Sequence, residues 1–286
     1  MIKNYQELNP IELSVLQDFI DRNEVQRITL EQLKKVFENE YYDFGSLLVM
    51  LENEIVVAIA QLLYRDSTKT ALLRHIDVIE NHNAPKKAID EIIRHGINTA
   101  RAYGATSIYI GVREERIKSI LDELNYKKSY QTLVMTLTDR ALRQAPLQLT
   151  KLEEINKNEY ISIFNEAFSN VPNGGIVTVQ DMNEYLADKS SGKYYFLVQA
   201  ENQNIGILEI DLEGSEDVFT IGLKRDWQNK GYGKHLLETA IDFLNQKEVP
   251  EICIMVISKR KQAYEMYLKR GFVVKKVFTD WYEWNL

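Results

Sequence analysis

The chain repeats itself. Two stretches run through the same order of elements about 145 residues apart, with Ile76 standing to Ile221, Ala88 to Gly233 and Tyr126 to Phe272. In the C-terminal half, apolar and β-branched runs at 194–200, 205–212 and 218–223 predict three strands, 234–245 a helix, 251–257 a strand, 261–269 a helix and 272–278 a strand. The N-terminal half gives strands at 46–51 and 55–64 around a Glu-Asn-Glu turn, then 70–79. A helix over 86–103, closed by Gly104, a strand at 106–112, a helix at 115–124 and a strand at 130–137 complete it. Such a series is an α/β unit used twice. A length of 286 residues with 45% hydrophobic content is enough for two cores. The join falls near 138–147, where a polar stretch ends at Pro146 before a fresh strand at 148–152, predicting domains at 1–140 and 146–286.

The copies differ at the turn between third strand and first helix. In the second copy it reads Gln228-Asn229-Lys230-Gly231-Tyr232-Gly233, followed by Lys234. Two glycines one residue apart let a backbone approach a ligand closely, and the first amides of a helix lack intrahelical acceptors. With the helix dipole, that suits a diphosphate. A dinucleotide fingerprint would need glycine at Leu236, and an ATP loop would need Ser or Thr at His235, so both are excluded. In the first copy the turn reads Asn81-His82-Asn83-Ala84-Pro85-Lys86-Lys87, with no glycine and one amide removed by Pro85. Leu121 and Asn125 stand where the second copy has Tyr267 and Gly271. The first copy is therefore expected to keep the fold without catalysis, its Lys86 and Lys87 being ordinary solvated lysines.

Gln-x-x-Gly-x-Gly after a strand, a buried strand about 20 residues on, Ala263-x-x-x-Tyr267 and Lys269-Arg270-Gly271-Phe272 together resemble the GNAT superfamily of acyl-CoA-dependent N-acyltransferases from Lys193 to Phe272. The resemblance implies two tandem GNAT-like domains, each a mixed, mostly antiparallel twisted sheet flanked by helices. It implies acetyl-CoA as cosubstrate, used only by the second domain to acetylate a primary amine of a small molecule or peptide by direct attack. The diphosphate is expected at the amides of Lys230, Gly231, Tyr232, Gly233 and Lys234, with Gln228 and Asn229 shaping the turn. The pantetheine arm is expected along Ile221, Gly222 and Leu223, whose amides polarise the thioester. Tyr267 matches the family tyrosine that protonates the departing thiolate, although packing with Tyr264 and Phe272 explains it as well. Arg260 stands where the family often has Asn and is a further candidate for a phosphate.

The residues leave the base open. Many relatives carry an acid on the strand leading into the loop, and that register falls on Thr220. Glu209 and Asp211 share one face of the neighbouring strand and are the first candidates. Glu283 and the terminal carboxylate, beside Trp281, Tyr282 and Trp284, are others. The alternative reading is a non-catalytic CoA-binding sensor or interaction protein.

Other classes fit less well. Residues 1–140 carry 18 basic against 21 acidic side chains and residues 141–286 carry 17 against 21, which argues against general nucleic-acid binding. The single cysteine, Cys253, lies in an apolar strand, and the four histidines show no metal-binding spacing, so no metal is expected. No apolar stretch approaches a membrane span and no signal-like pattern opens the sequence, so a cytoplasmic monomer or homodimer without membrane contact is the expectation.

Overall fold

In the computed structural model, the described residues are 1–22, 28–39, 41–169, 171, 174–188, 192–213 and 219–286. Val218, which opens one expected strand, lies outside them. Two compact units divide the chain: Met1–Gln131 with Thr279–Leu286, and Thr132–Phe278.

The first unit runs β1 (Ile2–Asn4), α1 (Pro10–Asp21), α2 (Leu30–Phe37), β2 (Phe44–Glu52), β3 (Ile55–Arg65), β4 (Thr70–Val78), α3 (Pro85–Ala102), β5 (Ser107–Val112), α4 (Glu115–Glu123) and the start of β6 (Lys128–Leu137). Local chemistry sets the helix starts. Asn9 Oδ1 accepts the amides of Ile11 and Glu12 at 2.9 and 3.0 Å while Glu12 reaches back to the Asn9 amide at 2.9 Å, and Thr29 with Gln32 repeats the device for α2. Strands β1 to β4 pair antiparallel and β4 pairs β5 in parallel. Alternation along β2, β3 and β4 buries Leu48, Ala60, Leu62, Ala71 and Leu73 against Ile89, Ile92 and Ile93 of α3.

The second unit runs from residues 132–137 of β6 through β7 (Gln148–Lys151), α5 (Lys157–Phe168), α6 (Val179–Ala187), β8 (Lys193–Ala200), β9 (Gln203–Asp211), β10 (Phe219–Leu223), α7 (Tyr232–Gln246), β11 (Ile252–Ile257), α8 (Lys261–Arg270) and the start of β12 (Phe272–Asn285). Strands β7 to β10 pair antiparallel in order, and β11 pairs antiparallel with β6 from Ile257↔Thr132 to Ile252↔Leu137. Among the described residues, no ladder joins β10 to β11. One face of the unit packs Leu236, Leu237, Ala240 and Ile241 of α7 on the strands; the other packs Tyr160 and Ile163 of α5 and Met182 of α6 on Leu197 and Ile207.

The unit boundaries differ from 1–140 and 146–286 for two reasons. The final strand does not stop at residue 278: Asp280–Asn285 pair antiparallel with β5 and belong to the first unit. The polar stretch expected as a linker is held instead inside the second unit. Buried Arg270 pairs with buried Glu238 at 2.5 Å and donates to the carbonyls of Asp139 and Ala141 at 3.1 and 2.8 Å. Among the described residues, no helix is long and apolar enough to cross a membrane.

Candidate functional site

Helix α7 begins without a side-chain cap. Its N-cap is Gly231 at φ +94°, a conformation that penalises any Cβ. Among the described residues no acceptor meets the amides of Lys230, Gly231, Tyr232 or Gly233, whereas the Lys234 amide donates to the Gly231 carbonyl at 3.1 Å and is used within the turn. Four open amides at the positive end of a 15-residue helix fit a diphosphate. Side chains fix the turn around them. Gln228 Nε2 donates to the Leu223 carbonyl at 2.9 Å, Asn229 at φ +62° binds Gln262 of α8, Lys230 Nζ sits 5.7 Å from the Trp227 ring centroid, and the Tyr232 hydroxyl donates to Glu201.

Gly233 has a different reason from the one its spacing suggests. It lies inside α7, with no positive φ, and a Cβ there would stand 3.3 Å from Met266 Sδ of α8. It serves helix packing, while Gly231 serves the turn.

Where β10 and β11 part, a cleft of about 290 Å³ opens, lined by Thr220 and Ile221 from β10, Ile254–Ile257 from β11, Phe168 at the end of α5 and Val171 beyond it, and Arg260, Ala263 and Tyr267 at α8. A strand edge left without a partner offers amides and carbonyls to an extended ligand arm. Ile221, Arg260 and Tyr267 line the cleft as expected; Gly222 is not among its lining residues. A Cβ on Gly222 would meet Ala167 Cβ at 2.9 Å and Phe168 Cε2 at 3.1 Å, so this glycine lets α5 close onto β10.

Tyr267 is 6% exposed and its ring lies 5.8 Å from that of Phe272, so it packs and lines the cleft at once. Burial pushes its phenol above the ordinary range and the Arg260 charge opposes this. At neutral pH the hydroxyl keeps its proton, the state a proton donor needs.

Glu209 stands directly across the β9–β10 ladder from Thr220, and opposed residues of a ladder share a face. The Tyr160 hydroxyl donates to Glu209 Oε1 at 2.6 Å. Burial raises the carboxyl to about 7, with the Tyr160 hydrogen bond opposing. Tyr195 pairs across β8 with Glu209 and stacks on Tyr185 at 4.2 Å, the planes 10° apart. Burial first and the Glu209 charge second raise the phenols of Tyr160, Tyr185 and Tyr195. Three tyrosines around one half-buried carboxyl escaped the sequence reading, because they come from α5, α6 and β8 with no spacing in common. Asp211, two residues on, accepts the Glu213 amide at 2.8 Å and shapes the strand end.

The C-terminal candidates lie elsewhere. Glu283 belongs to the first unit, where it pairs with Tyr109 in the ladder and accepts from Ser129 Oγ at 3.0 Å. Trp281, Tyr282 and Trp284 lie on the same first-unit segment, and Trp281 stacks on Tyr130 at 5.8 Å.

The corresponding positions of the first unit are closed. Pro85 opens α3, His82 Nδ1 accepts the Ala84 amide at 3.2 Å, and Lys86 and Lys87 lie within 3.5 and 3.7 Å of Glu123 and Glu91. Strands β4 and β5 pair only from Thr70 to Leu73, with His75 at φ +50° where the β3–β4 register shifts. Beyond that point Arg116 of α4 donates to the Val78 carbonyl and, at 3.1 Å, to buried Asp77, using the edge of β4 that an arm would need. Burial and Glu114 raise Asp77 to about 6, although the hydrogen bond from the Val78 amide and the Arg116 guanidinium oppose.

Residues 158–279 match the family described as Acetyltransferase (GNAT) domain. Among curated proteins, the chain is similar to the mycothiol acetyltransferase of Thermobifida fusca (strain YX), 22% identical over 154 residues, 48% of this chain and 48% of that protein. The match thus spans about half the length of that relative. Among solved structures, a GCN5-related N-acetyltransferase from Sphaerobacter thermophilus has a TM-score of 0.58 at 14% identity, covering 100% of this chain and 95% of that one. A tandem GNAT protein from the clavulanic acid biosynthesis pathway has 0.59 at 11% identity, covering 100% and 98%. Identities this low speak for the fold.

Proposed function

We propose, from the match of residues 158–279 to the acetyltransferase (GNAT) domain, that this protein transfers an acetyl group from acetyl-CoA to a primary amine, in the second unit alone. When bound, acetyl-CoA supplies the activated thioester carbonyl; the chain holds, orients and moves protons around it. The open amides of Lys230 to Gly233 hold the diphosphate, and the free edge of β10 at Ile221 takes the arm into the cleft.

An amine attacks only when neutral. Glu209, raised to about 7 and adjoining cleft-lining Thr220, accepts its proton, directly or through one water, near the pH at which the protein works. The tyrosines beside Glu209 give the cationic form of the acceptor aromatic faces on arrival. As the new C–N bond forms and the C–S bond breaks, the proton for the departing sulfur comes from the Tyr267 hydroxyl, and the second proton that the nitrogen sheds on becoming an amide restores that hydroxyl through solvent.

The observation that carries this reading is the meeting of Tyr267 and Arg260 with the unpaired edge of β10 in one cleft, next to an uncapped glycine turn. The test is acetyl-CoA-dependent thiol release with a panel of primary amines. Turnover that needs an amine and is lost in Tyr267→Phe supports transfer; acetyl-CoA binding without turnover for any amine would favour the sensor.

A further inference from the structure

The carboxyl of Glu209 and the cleft do not meet. Glu209 does not line the cleft, while Thr220, directly across the β9–β10 ladder from it, does. An amine held in the cleft therefore needs a carrier for the proton it gives up to Glu209.

Two observations put the Thr220 side chain on the Glu209 side of the sheet. Opposed residues of an antiparallel ladder share a face, with Cβ atoms about 4.5–5.5 Å apart. That face lies under α5: the Tyr160 hydroxyl reaches Glu209 there, and a Cβ on Gly222, two residues after Thr220, would meet Ala167 and Phe168 at 2.9 and 3.1 Å. Phe168 in turn lines the cleft together with Thr220. Among the described residues that line the cleft, Thr132, Thr220 and Tyr267 carry hydroxyls, and of these only Thr220 belongs to a strand paired with β9.

The carboxyl has an oxygen to spare. Tyr160 holds Glu209 Oε1 at 2.6 Å, and among the described residues no donor meets Oε2. The titratable groups around it are Tyr160 from α5, Tyr185 from α6 and Tyr195 from β8. Asp181, Glu184, Asp188 and Asp211 act on the outer two phenols, and none of them acts on Glu209, whose protonation is set by its burial and by Tyr160. Arg260 and Tyr267 face the cleft from the α8 side.

We propose that the Thr220 hydroxyl carries the acceptor's proton from the cleft to Glu209, a relay that rests on the acetyl-transfer reading. A hydroxyl has one proton to give and lone pairs to receive another. In one step an N–H bond of the ammonium breaks and its proton passes to Thr220 Oγ1, directly or through one water, while the proton already on Oγ1 passes to the Glu209 carboxylate. The hydroxyl is restored, the amine is neutral with its electron pair available, and Glu209 returns the proton to solvent after transfer. The acid expected at the Thr220 register stands one strand away, and the hydroxyl bridges the gap.

Steady-state kinetics on the full chain, with acetyl-CoA and with ethylamine, phenethylamine and free lysine as probe amines, tests the relay from neutral to alkaline pH, the fastest probe being used for the variants. Thr220→Val keeps shape and strand preference and loses the hydroxyl, so kcat/KM at neutral pH should fall by about tenfold, as in Glu209→Gln, and recover as the amine deprotonates, with acetyl-CoA affinity nearly unchanged. Thr220→Ser should stay near wild type. Thr220→Val added to Glu209→Gln should cost nothing more, because the two residues act on one proton. If Thr220→Val fails to fold, Thr220→Ala removes the same hydroxyl. A wild-type pH profile in the folded Thr220 variant, or losses from the two substitutions that multiply, overturns the relay and leaves Glu209 as the base. A loss in Thr220→Val with none in Glu209→Gln overturns the relay and the reading of Glu209 together, as does the absence of turnover with every probe.

Discussion

The two units share an order of elements and treat the gap between two strands in opposite ways. In the second unit β10 and β11 part and, among the described residues, the edge of β10 stays open beside a glycine turn. In the first, β4 and β5 part after four residue pairs and Arg116 takes the Val78 carbonyl, beside a turn stiffened by Pro85. On the proposed reading, the first unit gives up a cosubstrate site by satisfying its strand edge from within, with the sheet kept. Amides and carbonyls must find partners; whether a ligand or a side chain supplies them decides which copy can work.

The difference can be broken first at the turn. Gly231→Val places a β-branched side chain at φ +94° and should weaken acetyl-CoA by about a hundredfold or more, read by calorimetry on folded protein. Gly233→Ala, pressing only on the flexible Met266, should cost far less, and equal losses would mean the two glycines share one role. Next comes Tyr267→Phe. Ring packing on Phe272 survives, so kcat should fall by about 10² to 10³ with acetyl-CoA affinity nearly unchanged, and full turnover would reduce Tyr267 to a packing residue.

Glu209→Gln should lower kcat/KM by about tenfold at neutral pH and recover part of it as the amine deprotonates at high pH. Wild type should show a rising limb with its midpoint near pH 7, absent in the variant. The sign for stability runs the other way. A carboxyl raised from 4.5 to about 7 on folding favours the folded state fully below pH 4.5, and this contribution fades as pH rises to 7; Glu209→Gln should remove that slope from thermal unfolding.

The smallest functional effect belongs to the first unit. Arg116→Ala leaves buried Asp77 without its guanidinium and should cost about 1–3 kcal/mol in chemical denaturation, while kcat and acetyl-CoA affinity hold. A fall in turnover matching the loss of stability would mean the first unit has a part in the chemistry.

Much of this was legible in the residues. Runs of Val, Ile and Leu at period two and helices ended by Gly104 or Gly271 mark elements to within a few positions, and the Gln228–Gly233 turn marks the amides. Three things were not. The role of Gly233 depends on Met266, 33 residues away, and local spacing cannot show a contact between helices. The stretch at 138–147 reads as a linker because it is polar, yet Arg270 and Glu238 tie it down through backbone carbonyls that carry no sequence signature. The tail of β12 completes the other unit's sheet, a pairing that alternation permits without specifying. Of the carboxylates, alternation put Glu209 and Asp211 on one face; only the tyrosines around Glu209 tell the two apart.

The central claim, that one unit holds acetyl-CoA and the other has closed its site, is tested most directly by calorimetric stoichiometry on the full chain. The account expects one acetyl-CoA per chain, with that single site lost in Gly231→Val. Two equivalent sites, or one site that survives Gly231→Val in folded protein, would contradict it.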